Sequence, residues 1–171
     1  MTLNGVGYSL PISGVTMTNG QTLSLQGVWT NQAGTTITAN DATLNLGSGA
    51  NAWQNLGTIT VSNTAVTLGG SFTQAGLGNF NRTGGTVNFN GTLASGGLTL
   101  NGATGSWNFG GRINGGTVTA TDGAQIMADG GTLNGVTLAS DVTIGNGKSL
   151  YLENGLTLVG GATVTLASAG G

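Results

Sequence analysis

Residues 29–48 read WTNQAGTTITANDATLNLGS, and residues 53–71 repeat the pattern as WQNLGTITVSNTAVTLGGS. Both segments contain Trp, Asn, Gly, Thr-Ile-Thr, a second alternating run and Leu-Gly in the same order. The interval from Trp29 to Trp53 lies within the range of repeat lengths that is typical of solenoid coils. A β-sandwich has no reason to repeat such a unit, whereas each coil of a solenoid buries its inner face on the next. The repeat therefore predicts a β-solenoid, with its clearest coils at 29–52 and 53–75.

Short alternations of apolar and small polar residues continue along the chain. Runs such as Thr58-Ile-Thr-Val and Thr86-Val-Asn-Phe indicate strands with one buried face. Eight Asn-Gly pairs and further Gly-Gly pairs mark corners between them, because these residues adopt positive φ at little steric cost. We expect residues 1–171 to form one all-β domain, a right-handed parallel β-helix of about seven or eight coils of roughly 20–25 residues. Residues 1–14 are expected to fold over the first coil as a partial cap.

This architecture makes specific predictions about side chains. Inward positions, Val118 among them, are expected to stack as ladders of Val, Leu, Ile and Phe. Outward positions take Thr and Ser, which suit a pleated surface. Asparagines at corners are expected to stack, each amide bonding to the asparagine one coil above.

The low charge of the chain excludes several classes of function. Only three basic and five acidic residues occur among 171, and there is no His or Cys. Neutralising the phosphates of nucleic acid requires Lys or Arg, so no nucleic-acid partner is expected. Disulfide bonds and zinc sites with Cys or His ligands are impossible. The apolar runs are far shorter than a spanning helix needs, so no membrane insertion is expected.

The acidic residues do not form a recognisable catalytic pattern. Asp122 and Asp129 are each followed by Gly, which is typical of turns. Asp141 is expected to accept backbone N–H bonds at a corner. Asp122 and Asp141 could instead approach each other on neighbouring coils as an acidic pair. Because the chain has no His to act as a base, we expect no enzymatic activity, no metal and no cofactor.

Two sets of side chains are candidates for ligand binding. The three tryptophans either occupy a repeated packing position in the core or corners, or line a sugar-binding strip; they are Trp29, Trp53 and Trp107. Thr-x-Thr pairs place two hydroxyls on one face of a strand, and pairs stacked about 4.8 Å apart form a flat array that could bind ice or another ligand. These pairs are Thr16/Thr18, Thr36/Thr38, Thr58/Thr60 and Thr117/Thr119.

Several phrases resemble repeats of large bacterial surface and secreted proteins. They are WQNLGTITVSNTAVTLGGSF, GGTVNFNGTL, GSWNFGGRINGGTV and GGTLNGVTLASDVTI. The chain from Trp29 onward is similar to filamentous-haemagglutinin-like adhesins and autotransporter-like passengers. This resemblance implies a right-handed β-helix, export to the cell surface or the extracellular space, and a role as a stalk or adhesive rod.

Three functions remain open at this point. The first is a non-enzymatic structural or adhesive module, a rigid extracellular scaffold with a glycan or other surface ligand. The second is a filament subunit that associates end to end through exposed coil edges. The third is an ice-binding protein that uses the stacked Thr-x-Thr pairs.

Overall fold

A computed structural model describes residues 1–11 and 13–167. Within them, the helical content is a single four-residue turn, α1 (Gln74–Leu77), and no helix is long and apolar enough to cross a membrane. In chain order the strands are β1 (Thr2–Ser9), β2 (Val15–Thr18), β3 (Thr22–Asn31), β4 (Thr36–Asn40), β5 (Thr43–Leu46), β6 (Trp53–Asn55), β7 (Thr58–Ser62), β8 (Ala65–Leu68), β9 (Ser71–Phe72), β10 (Asn79–Thr83), β11 (Thr86–Phe89), β12 (Thr92–Leu93), β13 (Gly97–Leu100), β14 (Trp107–Phe109), β15 (Arg112–Asn114), β16 (Thr117–Ala120), β17 (Ile126–Ala128), β18 (Thr132–Leu138), β19 (Val142–Ile144), β20 (Tyr151–Leu158) and β21 (Val164–Leu166).

The strands pair in parallel to form three sheets. Sheet A follows the order β1-β3-β5-β8-β11-β14-β17-β19-β21, with β6 beside the second half of β3. Sheet B follows the order β10-β7-β4-β2. Sheet C follows the order β13-β16-β18-β15-β12-β9, with β20 beside β18. Successive coils therefore stack as a β-solenoid of about eight turns, which confirms the predicted parallel β-helix.

Inward side chains form apolar ladders along the solenoid. One ladder in sheet A takes one residue from each successive coil, namely Leu25, Leu46, Leu68, Phe89, Phe109, Ala128 and Ile144. Its members from Leu25 to Ala128 are buried. Full burial of one large apolar side chain contributes about 1.5–3 kcal/mol, so each large buried member of the ladder stabilises its coil. Val118 is also fully buried, as predicted.

A repeated corner follows the strands of sheet B. Asn19, Asp41 and Asn63 there have φ angles of 54°, 49° and 46°, and Gly84 has the equivalent position after β10 with 68°. Among non-glycine residues, Asn and Asp tolerate this left-handed conformation best. The backbone amide of Asn63 donates a hydrogen bond to the carbonyl of Thr83 in the coil above at 2.9 Å. Neighbouring corners are therefore also bonded to each other.

Sheet B ends at β10 because a local turn replaces the next strand. The side-chain Oδ1 of Asn101 accepts hydrogen bonds from the backbone amides of Ala103 (2.9 Å) and Thr104 (3.1 Å). Such local bonds compete with strand pairing. The carbonyl of Ala103 accepts a hydrogen bond from the backbone amide of Arg82 in β10 at 2.8 Å. This turn therefore lies against the edge of sheet B. From this coil onward, β13 and β16 extend sheet C instead.

Coil length varies more than predicted. The coil from Thr43 to its partner Ala65 falls within the expected length, but the coil from Ile126 to its partner Val142 is several residues shorter. The short coil passes from β18 to β19 through residues 139–141 alone, because it has no strand in sheet B.

The N-terminal residues do not form the expected cap. We expected residues 1–14 to fold over the first coil, but β1 lies beside β3 in parallel register as the first strand of sheet A. Leu3 pairs with Leu25 and so continues the inward ladder. The alternating residues of β1 favour pairing within the sheet over a path across its end. Ile12 lies outside the described residues.

Candidate functional site

The outer surface of sheet B carries only small uncharged polar side chains. Strand alternation directs the aliphatic residues of β4 and β7 inward and their hydroxyl and amide residues outward. We call this surface the threonine face. Its members are Thr16, Thr18, Thr36, Thr38, Asn40, Thr58, Thr60, Ser62, Asn79, Asn81 and Thr83.

The strand register arranges the threonine face in columns. The central column is Thr16, Thr38, Thr60 and Asn81, one from each of the four strands. The second column is Thr36, Thr58 and Asn79, and the third is Thr18, Asn40, Ser62 and Thr83. Adjacent strands in a sheet lie about 4.8 Å apart, so the hydroxyls repeat at that interval along each column.

The structure brings together six of the eight predicted threonines. Two Thr-x-Thr pairs stack directly on each other, Thr36 on Thr58 and Thr38 on Thr60. The first pair is displaced along the strand, because Thr16 pairs with Thr38 and Thr18 pairs with Asn40. The fourth pair lies elsewhere, on β16 in sheet C, where Thr117 pairs with Thr137 and Thr119 with Thr99.

The remaining members of the face were not identified from the sequence. Asn40, Ser62 and Thr83 form one column only because the register places them in line on successive coils. They could have been found by looking, one coil length before and after each threonine, for further small polar residues. Alternation alone marks them as outward residues of a strand and not as parts of one array.

The one cation in sheet B is held at its edge. The guanidinium Nη1 of Arg82 donates to the carbonyl of Gly85 at 2.9 Å, and partial burial lowers the pKa of the Arg82 guanidinium. Arg82 pairs with Val61, whose side chain is buried, so Arg82 occupies an inward position in the strand alternation. The threonine face itself therefore remains uncharged.

The tryptophans belong to the core. Trp29, Trp53 and Trp107 are each less than 5% exposed, so they cannot form a sugar-binding strip on the surface. The indole Nε1 of Trp53 donates to the carbonyl of Gly69 at 2.8 Å. The ring of Phe72 stacks on that of Trp53 with centroids 4.8 Å apart.

Asparagine amides are bonded between coils at several places, as predicted, but Asn88, Asn108 and Asn134 lie inside strands and not at corners. Two of the amides are fully buried: Nδ2 of Asn31 donates to Oδ1 of Asn55 at 2.7 Å, and Nδ2 of Asn55 donates to the carbonyl of Leu77 at 2.8 Å. Further amides are linked between coils at the surface, in the pairs Asn88/Asn108, Asn114/Asn134 and Asn134/Asn154.

The carboxylates form hydrogen bonds at corners. Oδ1 of Asp141 accepts bonds from the backbone amide and the hydroxyl of Thr163, both at 2.7 Å, as expected for a corner residue. These bonds lower the pKa of the Asp141 carboxyl. Asp122 and Asp141 line the same open groove of about 450 Å³. Among residues 1–11 and 13–167, no three acidic side chains cluster in a way that could hold a metal ion.

The last coil exposes side chains that are buried elsewhere. Leu152 and Leu158 pair with the buried Leu133 and Leu138 of the preceding coil, yet they are 53% and 48% exposed. Leu166 extends the sheet A ladder and is 76% exposed. These inward positions therefore present an apolar surface at one end of the described solenoid.

A scan against protein-family models finds no match to this chain. Searches of curated proteins and of solved structures find no significant match.

Proposed function

We propose that this chain is a non-enzymatic structural or adhesive rod of the cell surface or extracellular space. The observation that carries the proposal is the parallel stacking of about eight turns on one apolar core. At about 4.8 Å per turn, such a stack spans roughly 40 Å. Each coil is bonded along its strands to the next, so a load applied along the axis is resisted by successive ladders.

The resemblance to adhesin and autotransporter-like repeats supports the extracellular assignment. The low charge of the chain supports a role as a spacer, because a surface with only three basic and five acidic residues attracts ions and polyelectrolytes weakly. A glycan or other surface ligand would then bind through hydroxyl and amide groups.

Single-molecule force spectroscopy tests the mechanical role. The chain is held by its two termini between reference domains of known unfolding force. We expect stepwise unwinding, with increments of about 70 Å for a coil of about 20 residues, since an extended chain spans about 3.5 Å per residue. Extension at low force without discrete steps would contradict the proposal.

A filament is the second candidate, and the exposed leucines of the last coil favour it. In this arrangement β1 of a second copy pairs with the free edge of β21, and its Leu3 continues the ladder beyond Leu166. Negative-stain electron microscopy at two concentrations is expected to show rods that lengthen with concentration. The variant Leu166→Lys should abolish lengthening, whereas Leu56→Lys, at an exposed leucine on the side, should not. Single rods at both concentrations would exclude this candidate.

Ice binding is the third candidate, and the columns of the threonine face favour it. An array of hydroxyls and methyl groups at a fixed interval can order water in a lattice, provided that no charged group disrupts it. Thr38→Lys, at the centre of the face, is expected to abolish thermal hysteresis, and Thr119→Lys in sheet C is the matched control. Absence of thermal hysteresis in the unmodified chain would exclude this candidate.

A further inference from the structure

We propose that Asn146 is the preferred site of spontaneous deamidation in this protein. In this reaction the backbone nitrogen of the following residue attacks the asparagine Cγ, and the side-chain nitrogen leaves as ammonia. The resulting succinimide is opened by water at either carbonyl to give aspartate or isoaspartate. Glycine at the following position favours the attack because it has no side chain to hinder it. No oxidant or reductant is required.

The turn that contains Asn146 leaves both reacting groups accessible. The amide of Lys148 donates to the carbonyl of Gly145 at 2.9 Å, which places Asn146 and Gly147 at the two central positions of a β-turn. Both residues are exposed and lie outside the strands. In the described part of the chain, the Gly147 amide has no hydrogen-bond acceptor and the Asn146 side chain has no polar partner.

Four of the other seven Asn-Gly pairs have a glycine amide that is already bonded. The attack on Cγ requires that this bond be broken first. The amides and their acceptors are Gly20 to Asp41 O (2.6 Å), Gly91 to Leu68 O (2.8 Å), Gly102 to Asp122 Oδ2 (3.4 Å) and Gly115 to Asn134 O (2.8 Å).

The remaining three pairs lie within strands. Gly5 pairs with Gly27 in the ladder of β1 and β3. Gly135 and Gly155 belong to β18 and β20 and lie where the register between these two strands shifts. Oδ1 of Asn134 also accepts a hydrogen bond from Nδ2 of Asn154 at 2.6 Å, and this bond fixes the orientation of both side chains. Reorientation of either side chain for attack therefore requires that this hydrogen bond be broken first.

The modification adds a carboxylate beside an existing ion pair. Nζ of Lys148 lies 2.6 Å from Oδ1 of Asp129 on the neighbouring coil. A carboxylate at position 146 would compete for Lys148 and change the formal net charge from −2 to about −3. Because the turn is exposed and lies outside the ladders, the solenoid is expected to remain folded.

Peptide mapping by mass spectrometry tests this assignment. The folded chain is incubated at mildly alkaline pH, digested at intervals, and each of the eight Asn-Gly sites is quantified as amide or acid. Asn146 is expected to convert at least about tenfold faster than Asn90 or Asn114, a ratio equivalent to about 1.4 kcal/mol of local opening at the protected sites. The variant Asn146→Gln should lose the early acidic species.

The same chain digested before incubation is the control for intrinsic reactivity. Without the fold, the sites are expected to react within a few-fold of one another, because all have glycine at the following position. Two results would overturn the proposal. One is a folded chain in which another Asn-Gly pair converts first; the other is a preference for Asn146 that persists unchanged in the digested peptides.

Discussion

The indole ring of Trp29 lies parallel to that of Trp53, with centroids 5.1 Å apart and an interplanar angle of 2°. The two residues pair directly in the strand register, so the stack is part of the ladder between neighbouring coils. Because each ring covers the other, removal of one leaves a large cavity against its neighbour.

Trp53→Ala is therefore expected to destabilise the solenoid by about 3–5 kcal/mol, the usual cost of removing a buried aromatic side chain. The variant also leaves the carbonyl of Gly69 without the indole donor. Urea unfolding followed by circular dichroism measures the effect. Gln54→Ala changes the exposed neighbour on the same strand and should alter stability by no more than about 0.5 kcal/mol.

The buried asparagine pair makes a second prediction. Asn55→Ala removes the acceptor for Nδ2 of Asn31 and the donor to the carbonyl of Leu77. The Asn31 amide and the Leu77 carbonyl both stay buried without these partners. Each unsatisfied group costs about 1–3 kcal/mol, so we expect a loss of at least about 2 kcal/mol in the free energy of unfolding. Asn45→Ala, which removes a partly buried bond to Ser24, should cost about 1 kcal/mol or less. Equal losses in the two variants would show that burial of the pair is unimportant.

A third prediction concerns the alternation of β16. Val118→Asp places a charge without a partner at a fully buried position and is expected to unfold the neighbouring coils, at a cost of about 3–5 kcal/mol. Thr119→Asp, the next residue along on the outer side, should cost about 0.5 kcal/mol or less. Hydrogen exchange of the flanking strands distinguishes local unfolding from global unfolding. A protected core in the Val118 variant would be incompatible with this register.

The corner at Asp141 makes the stability depend on pH. Its two bonds from Thr163 favour the ionised carboxylate, which lowers its pKa below the ordinary value of 3.8. As the pH falls, the Asp141 carboxyl is therefore protonated at a higher pH in the unfolded chain than in the folded chain. The contribution of Asp141 is complete above the ordinary value and is lost as the pH falls through the lower pKa of the folded state.

Thermal unfolding measured from neutral to strongly acidic pH checks this dependence. We expect Asp141→Asn to be less stable than the unmodified chain at neutral pH, with a difference that narrows in acid. Thr163→Val removes the hydroxyl donor but keeps the amide, so its effect should be intermediate. A difference that stays constant across the range would mean that the carboxyl has the same pKa in both states.

Much of the fold follows from the sequence, because alternation and turn residues report directly on strands and corners. The burial of Val118 and the corner bonds of Asp141 are examples. The register between strands of successive coils is harder to predict from the sequence. The corner loops change in length without altering the alternation of apolar and polar residues in the strands. The step from Trp29 to its partner Trp53 is longer than the step from Thr36 to its partner Thr58, and the loop after Asn31 absorbs the difference.

The extent of the threonine face could not be predicted for the same reason. Thr117 and Thr119 have the same local pattern as Thr36 and Thr38, yet they lie in a different sheet. The reason is the strand register, which pairs β16 with β13 and β18 in sheet C, while sheet B ends at β10 beside the turn at Asn101. The strand register therefore decides which threonines share a surface, and period-two patterns carry no information about it.

The parallel pairing of the described strands gives the rod a direction. If two copies met at identical ends across a two-fold axis, their edge strands would be antiparallel. The parallel ladder of sheet A can therefore be extended only by joining the β21 end of one copy to the β1 end of the next. An axial joint is then heterologous and repeats in the same sense at every junction. A chain of such rods anchored at one end would point every copy outward, with its threonine face at the same distance from each joint.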